Sequence, residues 1–515
     1  MEKKDITSFK RVEINFNPQK PNLNLSKNKT QLDIRYCLIY PFAFAHIYWD
    51  EKEYEIKYDI EEPILNEEEE NYKEEIITTM KNIIDFDFSV KNPKEILDYI
   101  DKRFKIIASE LGIKMTYDSY KKIYYYLCRD FEGFNEIDPL LRDYYVEDIE
   151  CNGVGTPVYV VHRVLRSIKT NLVFDDFDKL SSFVEKLAQR CNKYVSHANP
   201  VLDGSLPDGS RVNATYTKEI SSKGPTFTIR KFTKTPWTPT RLLSMDTLSP
   251  EMLAYLWILI QYKMNILIAG GTSSGKTTLL NAMAFFIRPE DRVVSIEDTA
   301  ELNLPRENWL PSVVRDTMGE VKSSNIDLFR LLKNSFRQNP DYVVVGEVRG
   351  KETFVLFQGM SSGHASISTM HADSVKTLVK RLETPPINLP PTLLNVLNCV
   401  CIMTFAIVKK DETRKLKEIV EIIDIDDKGN PKTNTPFVWK PEDDSFYFKT
   451  ESKVFEEISK RHGISLNEIH EEFEKRTRLL YTLQKKNIFE FETMQDIVNE
   501  YYKRPEEVLK RYGIR

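Results

Sequence analysis

The chain has 515 residues, of which 41% are hydrophobic, and its formal net charge is −5. This length predicts roughly two or three domains, and the apolar content is sufficient for sizeable cores, which excludes a disordered protein. The slightly acidic balance argues against a nucleic-acid scaffold, so we expect no nucleic-acid partner, although a local basic patch stays open.

The first part of the chain, residues 1–130, is predicted to be an N-terminal adaptor of mixed structure. Residues 1 to about 33 are polar and are expected to be mobile. Aromatic and β-branched residues within Ile34–Ile60 predict three short strands. Residues 70–130 have apolar side chains at helical spacing and are predicted to be mostly helical.

A small α+β domain is predicted for residues 135–231. Short strands at Val158–Val161 and Val164–Ile168 precede one amphipathic helix, Phe177–Arg190. The segment PWTP that follows discourages helix and favours an extended path, because proline restricts its own backbone and that of the preceding residue. Residues 232–241 are therefore predicted to be a linker.

Strands and helices alternate over residues 242–440, which predicts an α/β domain with a mostly parallel sheet covered on both faces. The predicted strands are Asn265–Ala269, Val293–Ile296, Tyr342–Val345, Ala365–Thr369, Ile402–Val408 and Leu416–Ile425. Residues 441–515 form a C-terminal region with three predicted amphipathic helices, which start at about Val454.

The segment between Met264 and Leu280 contains the P-loop pattern Gly-x-x-x-x-Gly-Lys-Thr, placed between a predicted strand and a helix over Lys276–Ile287. Glycines let the backbone approach phosphate oxygens, and the loop N–H groups and the helix N-terminus attract the anion. Lys276 supplies a positive charge for the β and γ phosphates, and the Thr277 hydroxyl is suited to Mg²⁺. The predicted nucleotide-binding residues are Gly270, Gly271, Thr272, Ser273, Ser274, Gly275, Lys276, Thr277 and Thr278.

Four further segments have carboxylates, histidines or arginines, most of them at the ends of predicted strands. Ligands of open α/β sheets bind at the carboxyl ends of the strands, so these segments are expected to converge on one site. Taken alone, each histidine or arginine is also compatible with a structural or surface role. The segments are VSIEDTAEL with Glu297, Asp298 and Glu301, DYVVVGEVRG with Glu347, GHASISTMH with His364 and His371, and LPDGSRVNA and TIR with Arg211 and Arg230.

Together, these segments resemble the type II/type IV secretion system ATPase family over residues 135–430. VSIEDTAEL resembles the Asp box of the family, GEVRG its Walker B box and GHASISTMH its His box, in the same order and spacing. The segments NPDYVVVGEVRGKE, SSGHASISTMHADS and VEIIDID resemble the archaeal members that assemble pili and archaella.

The resemblance implies roles for the residues of the site. Glu301 would be the general base that orients the water, with Glu297 and Asp298 in support, and only the resemblance favours Glu301 over Glu297. Glu347 would be the Walker B carboxylate and, with Thr277, a Mg²⁺ ligand. His371, and less securely His364, would sense the γ-phosphate. Arg211 and Arg230 would reach nucleotide at a subunit boundary as arginine fingers.

The sequence departs from the family in two places and from other P-loop enzymes in a third. The four-cysteine insertion of many bacterial members is absent, and the six cysteines include no Cys-x-x-Cys pair, so we predict no zinc. Gly350 stands where the family often has Asp, which leaves the role of Arg349 open. Gly346 stands where many P-loop enzymes have a Mg²⁺-associated aspartate.

The resemblance also implies the overall function. It implies a RecA-like motor domain after a small PAS-like domain, ATP and Mg²⁺ as cofactors, and a homohexamer. The motor would act on a polytopic membrane platform protein and, through it, on prepilin-like subunits. Alternatives are an archaellum motor ATPase, a conjugation-type traffic ATPase on the same fold or, in another class, a non-hydrolysing nucleotide-dependent scaffold.

The expected location is cytoplasmic, with peripheral recruitment to the inner face of the membrane. The N-terminus MEKKDITSFKR lacks the apolar core of a signal peptide. The longest strongly apolar run, Met252–Ile260, is too short to cross a bilayer. We therefore expect no direct membrane insertion.

Overall fold

The structure is a computed structural model that describes residues 3–16, 21, 23, 29–83, 93–232, 235–304, 306–315, 326–408, 411–426 and 429–514. The Cα positions divide the chain into two compact units, Met1–Phe232 and Thr233–Arg515. Of the predicted linker, residues 233 and 234 lie outside the described residues. Its last three residues begin a helix at Pro239 instead, because proline suits the first turn of a helix. Both units mix helices with a large sheet, which confirms the α/β class.

The first unit contains eleven strands and five helices among the described residues. Its strands are β1 (Lys4–Asp5), β2 (Asp33–Ile39), β3 (Ala43–Asp50), β4 (Glu55–Glu61), β5 (Lys114–Met115), β6 (Val146–Cys151), β7 (Pro157–His162), β8 (Arg166–Val173), β9 (Val201–Ser205), β10 (Arg211–Thr215) and β11 (Thr226–Arg230). Its helices are α1 (Glu67–Ile83), α2 (Pro93–Glu110), α3 (Tyr117–Phe131), α4 (Asp138–Arg142) and α5 (Phe177–Arg190).

One nine-stranded sheet, in the order β2-β3-β4-β8-β7-β6-β11-β10-β9, organises the first unit. The parallel pair between β4 and β8, with Lys57 opposite Lys169, joins the three N-terminal strands to the later ones. The boundary predicted near residues 130–135 therefore falls between strands of a single sheet.

Two local features of the first unit bear on the sequence predictions. Helix α5 has the predicted bounds, because the Asp176 carboxylate accepts a hydrogen bond from the Lys179 N–H at its start. Part of the start that was expected to be mobile is packed instead: β1 pairs with β5, and Ile6 is fully buried in a helical core with Phe104. Four more apolar residues of this segment, Phe9, Val12, Ile14 and Phe16, pack against the same core, so their burial stabilises the segment.

The second unit contains nine strands and eleven helices among the described residues. Its strands are β12 (Ile266–Gly270), β13 (Val293–Glu297), β14 (Trp309–Val313), β15 (Tyr342–Val345), β16 (Ala365–Met370), β17 (Cys399–Val408), β18 (Asp411–Ile425), β19 (Pro431–Lys440) and β20 (Ser445–Phe448). Its helices are α6 (Pro239–Ser244), α7 (Pro250–Gln261), α8 (Lys276–Ala284), α9 (Leu328–Ser335), α10 (Glu352–Ser361), α11 (Val375–Glu383), α12 (Pro391–Leu394), α13 (Lys453–His462), α14 (Leu466–Lys485), α15 (Phe491–Lys503) and α16 (Pro505–Arg511).

The sheet of the second unit has the order β14-β13-β15-β16-β12-β17-β18-β19-β20. The strands from β14 to β17 pair in parallel, and those from β17 to β20 pair antiparallel. Successive residues of β12 pack into two different cores: Ile266 and Ile268 on one face, Leu267 and Ala269 on the other. Both faces of this strand are covered, which explains its continuous apolar sequence.

The C-terminal region has four helices where three were predicted. The additional break follows Arg504, which ends α15 and precedes Pro505 at the start of α16. Proline lacks an N–H and suits the first turn of a helix, so it marks a new start rather than a continuation. Within the described part of the chain, we find no helix with the length and apolar character needed to span a bilayer.

Candidate functional site

The phosphate loop joins β12 to α8 in the second unit, as the sequence predicted. All five residues of β12 are buried, and Gly275 has the left-handed φ of 92° at the start of the helix. A Cβ on Gly270 would lie 2.5 Å from Ser274 Oγ and 2.6 Å from the carbonyl oxygen of Met403. Ser274 Oγ also donates to the Gly271 carbonyl at 2.9 Å. Glycine is therefore required at two points of this turn, for space at Gly270 and for conformation at Gly275.

Lys276, the first residue of α8, is half-buried within this loop. Its Nζ donates to the Gly271 carbonyl at 2.9 Å. Burial lowers the pKa of the ammonium group, and the carboxylates of Glu347 and Glu301 oppose that effect through their negative charge. Such opposition requires proximity, so the loop cation and two of the predicted carboxylates share one region.

Helix α8 also fixes the segment that contains Glu301. Asn281 is buried in this helix, and its Nδ2 donates to the Glu301 carbonyl at 3.2 Å. The N–H of Asn303 donates in turn to Asn281 Oδ1 at 3.1 Å. Both hydrogen bonds involve the backbone of the segment, so they fix its position relative to α8.

Glu297 is the most buried of the predicted carboxylates, with 2% of its surface exposed. Its Oε1 accepts the N–H groups of Glu301 and Leu302, both at 2.9 Å. Burial raises the pKa of Glu297 to about 7, although the two hydrogen bonds act against the rise. These hydrogen bonds therefore stabilise the turn that leads from Glu297 to Glu301.

Gly346 leaves the space that Glu297 occupies. A Cβ at Gly346 would lie 3.1 Å from Cγ and 3.5 Å from Oε1 of Glu297. The Glu297 carboxylate thus lies where a side chain on residue 346 would start, which gives a physical reason for glycine at this position.

Glu297 should make stability depend on pH. The pKa of Glu297 is about 7 in the folded chain against 4.5 ordinarily. The stability that the protonated carboxyl contributes is therefore fully present below pH 4.5 and is lost as pH rises through 7. Relative to Glu297→Gln, the free energy of unfolding of the native chain should fall by about 3 kcal/mol over this window. Urea denaturation at pH 5, 6, 7 and 8 measures the difference. The exposed Glu307→Gln is the matched control and should follow the native chain. Parallel curves for native chain and Glu297→Gln would contradict the assignment.

Glu347 follows β15, and the turn after it is linked to the Asp298 segment. Arg349 Nη2 and Asp298 Oδ2 form an ion pair at 2.6 Å, with the arginine largely exposed. Glu352 Oε1 accepts the N–H groups of Arg349 and Gly350 at 2.8 and 2.6 Å. A Cβ on Gly350 would lie 2.8 Å from Glu352 Oε2, so the departure from the family pattern here accommodates the Glu352 carboxylate.

The two histidines of the third segment lie at opposite ends of β16. His371 follows the strand, and its Nε2 lies 3.1 Å from Thr272 Oγ1 in the phosphate loop. Arg381 of α11 donates to the His371 carbonyl. His364 precedes the strand and packs on the Phe336 ring, with centroids 4.9 Å apart. Six strand residues, about 20 Å, separate the two, so His371 lies beside the phosphate loop and His364 lies at the opposite end of β16.

The residues at the start of α8 suit a Mg²⁺ ion bound together with phosphates. Mg²⁺ prefers oxygen ligands and is usually held by one or two protein groups plus phosphate oxygens and waters. The Thr277 hydroxyl follows Lys276 directly, and the Glu347 carboxylate opposes the lowering of the Lys276 pKa by burial. Among the described residues, no cluster of three or more His, Cys, Asp or Glu side chains could hold a metal ion.

Arg211 and Arg230 lie in the first unit, directly opposite each other on β10 and β11. Arg211 Nη2 is 3.1 Å from Asp203 Oδ2, and Arg230 Nε is 4.0 Å from Asp148 Oδ1. All four side chains are at least partly exposed, so these ion pairs are weak. Because the two arginines are far apart in sequence, their opposite positions on neighbouring strands could not be predicted.

Sequence reasoning missed three residues of the second unit that contact the site. Asn281 was detectable, because it is a polar residue within the apolar run of α8. Arg381 and Arg414 were not, because their contacts depend on how α11 and β18 pack beside the loop.

Comparison with known proteins identifies a family that this chain resembles in sequence. Residues 158–404 match the sequence model of the family described as "Type II/IV secretion system protein". The chain is 34% identical to MJ0900 of Methanocaldococcus jannaschii over 530 residues, covering 97% of this chain and 94% of MJ0900. It is 31% identical to the conjugal transfer protein TrbB of Rhizobium radiobacter, covering 46% of this chain and 73% of TrbB. It is 32% identical to the type IV secretion system protein PtlH of Bordetella pertussis, covering 40% of this chain and 67% of PtlH. The chain therefore belongs to the type II/type IV secretion system ATPase family.

Proposed function

We propose that this chain is a motor that hydrolyses ATP to drive assembly or secretion through a membrane platform protein. The observation that supports it best is that β12, β13 and β15 run in the same direction in one sheet, so the phosphate loop, Glu301 and Glu347 follow their strands at the same edge. The contact between His371 and Thr272 adds β16 to the same edge. Phosphoryl transfer needs this combination of a cation, carboxylates and a water-orienting group.

Each residue has a proposed role in the reaction. Backbone N–H groups of Gly270–Thr278 and the Lys276 ammonium bind the phosphates. Thr277 and Glu347 would hold Mg²⁺, which when bound would neutralise negative charge on the phosphates. Glu301 orients the attacking water, because its carboxylate is near Lys276 while its backbone is held by Asn281. His371 reports the presence of the γ-phosphate to the loop through Thr272.

The experiment that tests this function is a phosphate-release assay on the purified chain, with and without Mg²⁺. Hydrolysis that requires Mg²⁺ supports the motor. Nucleotide binding without hydrolysis would instead support a non-hydrolysing scaffold. This candidate from another class is retained because residue 346 is glycine, where many P-loop enzymes have a Mg²⁺-associated aspartate.

The proposed assembly is a homohexamer with shared sites. Residues 242–440 would form a RecA-like motor, residues 135–231 a PAS-like domain, residues 1–130 an adaptor and residues 441–515 a C-terminal region. Arg211 and Arg230 would reach the nucleotide at a subunit boundary. Both arginines are exposed on neighbouring strands, and the part of the linker before α6, residues 232–238, would let the domains rotate as ATP binds.

Mixing inactive subunits tests the shared site. Arg211→Ala removes the proposed finger and Lys276→Ala removes the loop cation, so each homo-oligomer should be inactive. In a mixture, some boundaries combine an intact arginine with an intact loop, and we expect phosphate release to recover to roughly a quarter of the native rate for equal, random mixing and independent sites. Asp203→Asn mixed with Lys276→Ala is the matched control for loss of the ion pair alone. Complete absence of recovery, with mixed oligomers verified by differential tags, would contradict a shared site with independent turnover.

The proposed partners are a polytopic membrane platform protein and, indirectly, prepilin-like subunits, with peripheral recruitment to the inner face of the membrane. A conjugation-type traffic ATPase is the second candidate, because TrbB is a conjugal transfer protein. An archaellum motor ATPase on the same fold is the third candidate. Co-purification with the platform protein of one of these systems discriminates among them.

A further inference from the structure

A β-hairpin extends past the phosphate loop on the side opposite β16. Strand β12 ends at Gly270, opposite Met403 of β17. Strand β17 continues to Val408 and pairs over that extension with β18, where Phe405 is opposite Arg414. The hairpin thus lies beside the loop, where its side chains can contact it.

Two contacts join the hairpin to the loop. The Met403 carbonyl and Cβ fill the space above Gly270, as described above. Arg414 Nε donates to the carbonyl of Ser273, in the middle of the loop, at 2.9 Å. The Arg414 side chain also passes Gly275, since a Cβ there would lie 3.4 Å from Arg414 Cδ.

Ser273 is the point of the loop where the backbone conformation is least favourable for its residue type. Its φ is 56°, in the left-handed region. This region disfavours residues with a Cβ, and a serine there needs compensation from its surroundings. The hydrogen bond from the Arg414 guanidinium, a charged donor, acts on the carbonyl of this same residue.

We propose that Arg414 is a positioning residue of the phosphate loop: its hydrogen bond keeps Ser273 in the left-handed conformation in which the loop binds phosphate. The inference depends on the proposed use of this loop for nucleotide. Arg414 acts through the backbone of the loop. Its hydrogen bond therefore raises the fraction of molecules whose loop already has the conformation that binds phosphate. A lower competent fraction weakens the apparent affinity by the same factor.

Calorimetric titration of the full-length chain with Mg–ADP tests the proposal. Arg414→Ala should weaken binding about tenfold, the loss expected for one charge-assisted hydrogen bond. Adding Ser273→Gly should restore most of the affinity, because glycine adopts the left-handed conformation without help. Adding Ser273→Ala should restore none, because alanine keeps the Cβ. Lys417→Ala, which removes an exposed cation from the same strand, is the matched control and should bind like the native chain.

The outcomes separate this inference from the proposed function. No binding by the native chain would defeat the nucleotide function itself. Binding by the native chain that Arg414→Ala leaves unchanged would overturn the inference alone. Weak binding by Arg414→Ala that Ser273→Gly does not restore would also overturn it and would indicate direct contact between the guanidinium and the nucleotide. Thermal unfolding without nucleotide excludes general damage, since every variant should keep the native midpoint within a few degrees.

Discussion

Lys276→Ala is expected to lower Mg²⁺-dependent ATP hydrolysis by at least about 10²–10³-fold, the usual cost of one preorganised charge donor. Lys276 is the cation at the start of α8, and its ammonium is held in the loop by the Gly271 carbonyl. Alanine leaves the loop N–H groups in place, so residual binding of ADP should exceed residual turnover. Phosphate release under saturating ATP measures the effect.

The control for Lys276→Ala is Lys376→Ala, which removes an exposed lysine of α11 in the same unit. This variant should hydrolyse ATP at the native rate. The Lys276 hydrogen bond contributes about 1 kcal/mol to folding, so circular dichroism and the thermal midpoint should show a folded variant. Turnover at the native rate by Lys276→Ala would contradict a role of the phosphate loop in ATP hydrolysis.

Glu301→Gln is expected to lower turnover by about 10²–10⁴-fold while the affinity for ATP changes little. Glutamine keeps the size of the side chain and removes the charge that orients and deprotonates water. The Asn281 hydrogen bond to the Glu301 backbone is untouched, so the segment should keep its position. Single-turnover assays and retention of unhydrolysed ATP on the isolated protein measure the two quantities separately.

Glu297→Gln distinguishes the two candidate bases. The Glu297 side chain accepts two backbone N–H groups at Oε1, and a glutamine oxygen can accept the same bonds. We therefore expect this variant to keep substantial turnover. Loss of turnover in Glu297→Gln, with activity retained in Glu301→Gln, would reverse the assignment of the base. The exposed Glu307→Gln is the neutral reference for both.

Local patterns predicted the parts of the site that depend on neighbouring residues in sequence. The strand, turn and helix around Gly270–Thr278 were predictable because glycine spacing and apolar runs report local conformation directly. The same logic places Glu297, Glu347 and His371 after strands. The same logic places His364 at the other end of the strand that His371 follows.

Features that depend on packing between distant segments were not predictable. The Arg414 contact with Ser273 requires the register of β17 against β18, and a one-residue shift would turn the side chain away. The join of β4 to β8 depends on a single parallel pair between distant strands. Strand β14 was missed because Pro311 lies within it, which is tolerated at the edge of a sheet.

The central claim is that the groups around Lys276 act on one triphosphate. A crystal structure of Glu301→Gln with Mg²⁺ and ATP tests this most directly. We expect the triphosphate on the loop of Lys276, with residue 301, Glu347 and His371 facing the γ-phosphate. A triphosphate bound there while these three side chains face elsewhere would contradict the motor and leave only a nucleotide-binding protein.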